Sequence, residues 1–154
     1  MAITFNITEK VMDAMIAYLL DNTDIAAASI PVRRWMDISN DAVYPAIMVN
    51  STGYNNPDFG KNILLGNNVL VNIGIFTEVV IDTTGSSIEQ IIAYVRKSIV
   101  QDDIEAALNA KDAGLFVYTN GVMITDNGVG NDTSDIRQRN INLQIACTIK
   151  DDGL

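Results

Sequence analysis

Two stretches of the chain place apolar residues on one side of a helix. In the first, Asn6 can cap a helix, and Glu9 takes the capping-box position three residues later. The apolar positions that follow recur at helical spacing; they are Val11, Met12, Met15, Ile16, Leu19 and Leu20. The pattern predicts a helix over about residues 8–20. Its wide apolar face favours packing against a sheet or against another subunit.

The second helical stretch has two possible starts. Ser86 with Glu89, or Ser87 with Gln90 one residue later, supplies the two side chains of a capping box. The apolar positions after them stay on one helix face; they are Ile88, Ile91, Ile92, Val95 and Ile99. We expect a helix over residues 86–100, followed by a short helix that ends near residue 108.

Alternating apolar and polar residues predict the extended segments of the chain. They are residues 30–35, 44–50, 69–79, 115–124 and 141–150. Because Pro31 lacks a backbone N–H, the first segment is expected at a sheet edge. The order of helices and strands over 154 residues favours a single α+β domain, residues 1–154. In it, an antiparallel or mixed β-sheet carries two main helices on one face.

The segment at residues 54–68 joins two of these strands and combines turn residues with apolar ones. Asn, Pro and Gly residues at both of its ends favour turns. Its middle is too apolar for a solvated linker. We interpret the segment as a long hairpin arm that contacts another subunit, with a disordered loop as the alternative. The candidate contact residues in it are Phe59, Leu64 and Leu65.

A second candidate for a subunit contact lies in the first extended segment. Arg33 and Arg34 stand directly before Trp35, the only tryptophan of the chain. Arginine and tryptophan are enriched at the energetic centres of protein interfaces. An equally good alternative is an arginine pair at a sheet edge, whose aliphatic stems cover a half-buried tryptophan.

Arg137 and Arg139 form a third candidate, on one side of the last strand as it leaves a loop. In an acidic protein, such a basic pair can bind carboxylates of a neighbouring copy. Pairing within the chain, with Asp132 or Asp135, is equally plausible. The sequence leaves both interpretations open.

Composition removes several kinds of chemistry. The chain has no histidine, the commonest general base and zinc ligand, so no Ser-His or Cys-His arrangement exists. Its single cysteine, Cys147, cannot form an intrachain disulfide, and it alternates with apolar residues, so we expect an inert buried thiol. No apolar run approaches the roughly 20 residues of a membrane span. Residues 1–6 do not resemble a secretory signal, so we expect a cytoplasmic site of synthesis.

The remaining candidate sites are weak. The glycine-rich segment 126–135 fails the EF-hand pattern, because Arg137 takes the position of the bidentate glutamate. We interpret the segment as a hairpin loop. The pairs Asp102-Asp103 and Asp151-Asp152 are explained by helix capping and by an acidic tail. We therefore predict no enzymatic activity, no catalytic residue, no metal site and no cofactor.

The formal net charge is −9, from 19 acidic and 10 basic residues. Such a surface repels phosphate backbones, so tight binding of nucleic acid is disfavoured. An acidic channel would instead let DNA slide without sticking. The simpler interpretation is that the acidic residues keep the protein soluble.

The order and lengths of these elements resemble those of the tail terminator (tail-completion) proteins of long-tailed bacteriophages. The resemblance covers nearly the whole chain, and its most specific feature is the proline-led strand Tyr44-Pro45-Ala46-Ile47-Met48-Val49. Around that strand stand the amphipathic N-terminal helix, the long strand 69–79, the capped helix 86–100 and the last alternating strand.

The resemblance implies a ring, a homo-hexamer, at the head-proximal end of the tail in the virion. The ring would end tube growth, touch the tail tube protein and the head-neck connector protein, and let DNA pass through its lumen without specific binding. It implies no enzymatic activity, no cofactor and no membrane. One alternative is another phage structural subunit, namely a tail tube protein or a head-tail connector. A further alternative is an acidic hydrolase or small-ligand binder.

Overall fold

The computed structural model describes residues 7–34, 44–55, 67–78, 87–100, 104–112, 114–130, 132–133 and 135–149. These ranges contain four helices and five strands, which confirms the predicted α+β class. The helices are α1 (Ile7–Leu20), α2 (Thr23–Ala27), α3 (Ile88–Val100) and α4 (Ile104–Lys111). The strands are β1 (Val32–Arg34), β2 (Ala46–Asn55), β3 (Asn67–Glu78), β4 (Leu115–Gly130) and β5 (Ile136–Ile149).

The strands form one mixed sheet in the order β1-β2-β3-β5-β4. β1 pairs in parallel with β2, and the other neighbouring strands pair antiparallel. Pro31, directly before β1, has no N–H to donate, but its carbonyl oxygen accepts a hydrogen bond from Ile47 N at 2.9 Å. The predicted edge position of this segment is therefore confirmed.

Both main helices begin close to their predicted starts. α1 starts at Ile7, one residue early, and α3 uses the second of the two candidate capping pairs. Gln90 N donates to Ser87 Oγ at 3.3 Å, and Ser87 N donates to Gln90 Oε1 at 3.4 Å. These reciprocal bonds satisfy N–H groups that the first helical turn leaves unpaired. Ser86 lies outside the described residues.

The described helices pack on one face of the sheet and enclose the main core. Every second residue of β3 and β5 points into it; these residues are Val69, Val71, Ile73, Ile75, Ile141, Leu143, Ile145 and Cys147. The apolar residues predicted for α3 are all buried there too. A shift of β3 by one residue would turn its core side chains to the other face, so burial fixes the strand register.

β4 contains a bulge where the sequence suggested a plain strand. Residues 118–121 face the single residue Ala146 of β5. Within the bulge, Asn120 has a φ of 57°. A Cβ atom on Gly121 would lie 2.7 Å from the Tyr118 carbonyl oxygen and 2.8 Å from that of Ala146. Only glycine fits this close approach of two backbones, and it lets β4 continue along the sheet edge.

The predicted hairpin loop at residues 126–135 is wrong in its extent. β4 continues to Gly130 and β5 already begins at Ile136, so half of the glycine-rich segment lies in a strand. The two strands do form the expected antiparallel hairpin. At its turn, Thr133 N donates to the Ile136 carbonyl oxygen at 2.9 Å.

The ends of the predicted arm belong to the sheet. β2 runs to Asn55 and β3 begins at Asn67, and the two strands pair as far as Asn55 opposite Asn68. The paired hairpin is therefore longer than the sequence suggested. Residues 56–66 lie outside the described residues, so the protruding arm stays a prediction. The same holds for the contact role of Phe59, Leu64 and Leu65.

Candidate assembly surfaces

Arg34, at the end of the edge strand β1, is bound to α1. Its Nη2 and Nε atoms lie 2.6 and 3.0 Å from Asp13 Oδ1, and its Nη1 lies 4.0 Å from Glu9 Oε1. Arg34 therefore forms ion pairs within the chain, which the sequence analysis did not predict, and its contact role toward another subunit stays a prediction. Arg33 lies opposite Met48 and points to the other face of the sheet, since side chains alternate along a strand. Trp35 lies outside the described residues, so its contact role and that of Arg33 stay predictions.

Arg139 is likewise bound within the chain. Its Nη1 lies 2.5 Å from Asp132 Oδ1, and the backbone N–H of Gln138 donates to the same oxygen at 3.2 Å. The hydrogen bond from Arg139 holds the pKa of the Asp132 carboxyl below its ordinary value. For Arg139 the structure thus shows the intramolecular pairing. Arg137 is half-buried on the same strand, and its role toward a neighbouring copy stays a prediction.

The face of the sheet opposite the helices exposes apolar side chains. Leu70 is 38% exposed, Phe116 37% and Met123 53%. The strand register places Leu70, Gln144 and Met123 in one row across β3, β5 and β4. In each strand, the residues directly before and after these three positions point into the core. Because side chains alternate along a strand, Leu70, Gln144 and Met123 point to the helix-free face. We refer to one set on this face as the sheet patch: Leu70, Asn72, Phe116, Met123, Asn142 and Gln144.

Amide groups cross the middle of the sheet patch. Asn72 Nδ2 donates to Asn142 Oδ1 at 2.6 Å, and Thr125 Oγ1 donates to the Asn142 carbonyl oxygen at 3.1 Å. None of the six residues of the sheet patch is charged. The strand register places Asp126 of β4 opposite Asn142, so a charged residue borders the sheet patch.

On the helix side, hydrogen bonds join the C-terminal ends of α1 and α3. Tyr18 Oη donates to the Ser98 carbonyl oxygen at 2.5 Å, and Asn22 Nδ2 donates to Ser98 Oγ. Burial, with a smaller effect of the Glu105 carboxylate, raises the pKa of Tyr18, so its hydroxyl keeps its proton at neutral pH. Ser98 itself is fully buried. These bonds fix the two helix ends relative to each other.

Two large apolar side chains are exposed beside this junction. Leu20, the last residue of α1, is 48% exposed, and Val100, the last residue of α3, is 69% exposed. The sequence pattern assigned Leu20 to the buried face of its helix, which the structure corrects: the helix ends there and its last side chain extends past the sheet-facing stripe. We refer to Leu20 and Val100 as the helix-end patch.

A cavity of about 550 Å³ lies next to the helix-end patch, between α1, α3 and α4. Its lining has both signs of charge: Asp21 is bound to Lys111, and Asp24 and Lys97 are also at its walls. Within the described ranges, no group of three or more His, Cys, Asp or Glu residues could hold a metal ion. We assign no ligand to this cavity.

Two further expectations concern reactivity and membranes. Cys147 is fully buried, and burial raises the pKa of its thiol to about 12, as expected for an inert cysteine. No helix in the part of the chain that the structure describes has the length and hydropathy needed to cross a membrane.

The sequence analysis missed both patches, although part of the signal is visible. Leu70 and Met123 are apolar residues at strand positions where the alternation calls for polar ones. Such a residue out of phase can belong to a second contact face. The chain matches no protein-family model and no curated protein sequence. The functional argument therefore rests on the residues described above.

Proposed function

We propose that this protein is a structural virion subunit of the tail-terminator type, whose copies form a ring that caps the head-proximal end of a phage tail tube. The observation that carries the proposal is the sheet patch, which brings the exposed side chains of Leu70, Phe116 and Met123 together on one face of the sheet. Apolar side chains gathered on one exposed face mark protein–protein contacts. A subunit that works only in an assembly needs such a face.

The order of elements supports the terminator type among assembly proteins. The amphipathic helix α1, the proline-led strand β2, the long strand β3, the capped helix α3 and the final strand β5 follow one another as the resemblance implies. The described helices also pack on one side of the sheet, and toward β4 the other side exposes Leu70, Phe116 and Met123. Both features agree with the proposal, and neither depends on residues 56–66.

In this proposal the ring is a hexamer that ends tube growth, joins the tail to the head-neck connector, and lets DNA pass through its lumen. The net charge of −9 supports passage without binding, because tight DNA binding requires lysines and arginines that displace counterions from phosphates. The ring needs no cofactor and carries out no chemical reaction.

Negative-stain electron microscopy and light scattering of the purified protein test the proposal. We expect discrete closed rings, either free in solution or on the ends of tail tubes. A tail tube subunit would instead grow into long filaments, because a head-to-tail contact that does not close propagates without limit. A strict monomer that leaves tube ends uncapped would contradict the proposal.

A further inference from the structure

The two edges of the sheet differ in length and in charge. β1 has three residues, two of which are the arginines Arg33 and Arg34, whereas β4 has 16 residues. Every second residue of an edge strand points its backbone N–H and C=O groups outward, where another strand can bind them. Short, charged edge strands resist such strand addition, so β1 is protected by its length and its charges. The long edge strand β4 needs another form of protection.

The carboxamide of Asn109, on α4, occupies part of the outer edge of β4. Val117 N donates to Asn109 Oδ1 at 2.6 Å, and Asn109 Nδ2 donates to the Val117 carbonyl oxygen at 3.2 Å. Val117 lies opposite Cys147 of β5, and because both of its backbone groups bind Asn109, they point away from β5. The carboxamide therefore makes the pair of bonds, one donated and one accepted, that a residue of a neighbouring strand would make.

The outward N–H group next to Val117 is also bound within the chain. Leu115 lies two residues before Val117, so its N–H points to the same side. It donates to the Asp112 carbonyl oxygen at 3.2 Å. With Asn109 and Asp112 as acceptors, both outward N–H groups of residues 115–117 are satisfied. A strand of a second copy therefore finds neither of these donors free.

Bulges distort the rest of the outer edge. Residues 118–121 face a single residue of β5, and the register shifts twice more before Gly130. Bulges interrupt the ladder and twist an edge strand away from a straight partner, and a charged residue such as Asp126 opposes pairing further. The bulges thus protect the distal part of the edge, whereas the part before them depends on Asn109.

We propose that the carboxamide of Asn109 closes the outer edge of β4 against strand addition by a second copy. The closure goes beyond the proposed function, because any subunit that assembles through other surfaces must avoid pairing through an open edge. Since β1 is short and charged, the strand that an open β4 would bind is β4 of another copy, in a two-fold antiparallel contact. The competing explanation is a purely stabilising role, in which the amide only anchors α4 to β4.

Removal of the carboxamide tests the closure. Asn109→Ala leaves both outward groups of Val117 without their partner and raises the helix propensity of α4, so we expect it to fold, which circular dichroism checks. Asn22→Ala is the matched control, because the Asn22 amide also donates one hydrogen bond and accepts one, but between helix ends. Hydrogen exchange at Val117 N–H should be about 10-fold faster in Asn109→Ala. It should be unchanged in Asn22→Ala, because an edge amide exchanges by local opening.

Analytical ultracentrifugation then compares self-association at equal protein concentrations. We expect Asn109→Ala to form larger species than the wild type, whereas Asn22→Ala should match the wild type. Thr119 is exposed two residues after Val117. Adding Thr119→Lys to Asn109→Ala should abolish the extra association, because a lysine on an edge strand opposes pairing. The lysine also lowers the net negative charge, so general repulsion between copies cannot explain that loss.

Three results would overturn the inference. They are an Asn109→Ala variant that associates no more than Asn22→Ala, a Thr119→Lys addition that leaves the extra association intact, and an Asn109→Ala variant that does not fold. In the last case the amide belongs to the folding core. The proposed function is tested separately, by the rings of the wild type. If those rings are absent and Asn109→Ala still associates more strongly, the terminator proposal falls and the closed edge stands.

Discussion

The two faces of the sheet use the same strands for different purposes. On the helix side, Ile73 and Leu143 are at most 1% exposed and belong to the main core. On the other side, three residues away along β3, Leu70 is 38% exposed, and Met123 on β4 is 53% exposed. The helix-covered face holds the fold together, whereas Leu70 and Met123 on the open face add little to folding.

The open face is itself divided. Toward β2, the side chains of Ala46, Met48 and Phe76 form a second cluster and are each at most 8% exposed. Tyr44 and Ile136 pack against this cluster. Toward β4, the side chains of Leu70, Phe116 and Met123 reach solvent. Since the polar row of Asn72 and Asn142 lies between these regions, the exposed end is a separate surface and not a frayed margin of the buried cluster.

The largest expected effect is a difference in the free energy of unfolding between substitutions on the two faces of the sheet. Ile73→Ala removes a fully buried side chain from the main core and should lower the free energy of unfolding by about 2–5 kcal/mol. Leu70→Ala, three residues away on the same strand, should change it by less than about 0.5 kcal/mol, as expected of a surface position. Urea unfolding at a protein concentration where light scattering shows monomers measures both values without a contribution from assembly. An equal loss for the two substitutions would show that the open face belongs to the folding core.

A smaller loss of stability is expected from substitutions at the junction of the helix ends, close to Leu20 and Val100. Asn22 Oδ1 accepts a hydrogen bond from Ile25 N at 2.9 Å and caps α2, while its amide group donates to Ser98 Oγ. Asn22→Ala should cost about 1–2 kcal/mol, because it removes the cap and leaves a buried hydroxyl without its donor. Asn22→Asp keeps the capping oxygen and should lose only part of that stability. A loss below about 0.3 kcal/mol for the alanine variant would mean that the junction contributes nothing.

The smallest effect concerns the ion pair at the β4–β5 turn. Arg139 lowers the pKa of Asp132 in the folded state. The ion pair therefore stabilises the fold at pH values above the pKa that Asp132 has in the unfolded chain. This stabilisation is lost as the pH falls through the pKa that Asp132 has in the folded protein. An NMR titration of the Asp132 carboxyl should give a pKa below that of an ordinary aspartate. In Arg139→Gln the value should rise toward the ordinary range. An unchanged titration in that variant would show that the pair is not formed in solution.

The sequence predicts the elements well where burial on one face dictates the pattern. The apolar residues of α3 and the alternation of β5 identify these elements and their buried faces, because each buries one face against the same core. The edge position of β1 follows from Pro31 alone. The pattern does not decide between Ser86 and Ser87 as the start of α3, because both offer the same capping chemistry.

What the sequence does not reveal depends on contacts between distant segments. The bulge at 118–121 results from the close approach of Gly121 to Ala146, which no local signal records. The extension of β4 to Gly130 depends on pairing with β5, which overrides the turn preference of the glycines. The ion pair of Arg34 with Asp13 joins residues from two elements. The sheet patch is visible only once the register aligns Leu70, Gln144 and Met123.

Oxidation of Met123 by hydrogen peroxide, followed by peptide mass spectrometry, measures most directly whether the open face is covered in the assembly. Methionine oxidation depends on access to the sulfur, and Met48, which is 1% exposed, provides an internal control. We expect Met123 to oxidise several-fold more slowly in the assembled protein than in the same protein diluted until it is monomeric, while Met48 stays slow in both. Equal oxidation rates at Met123 in the assembled and in the diluted protein would contradict the account.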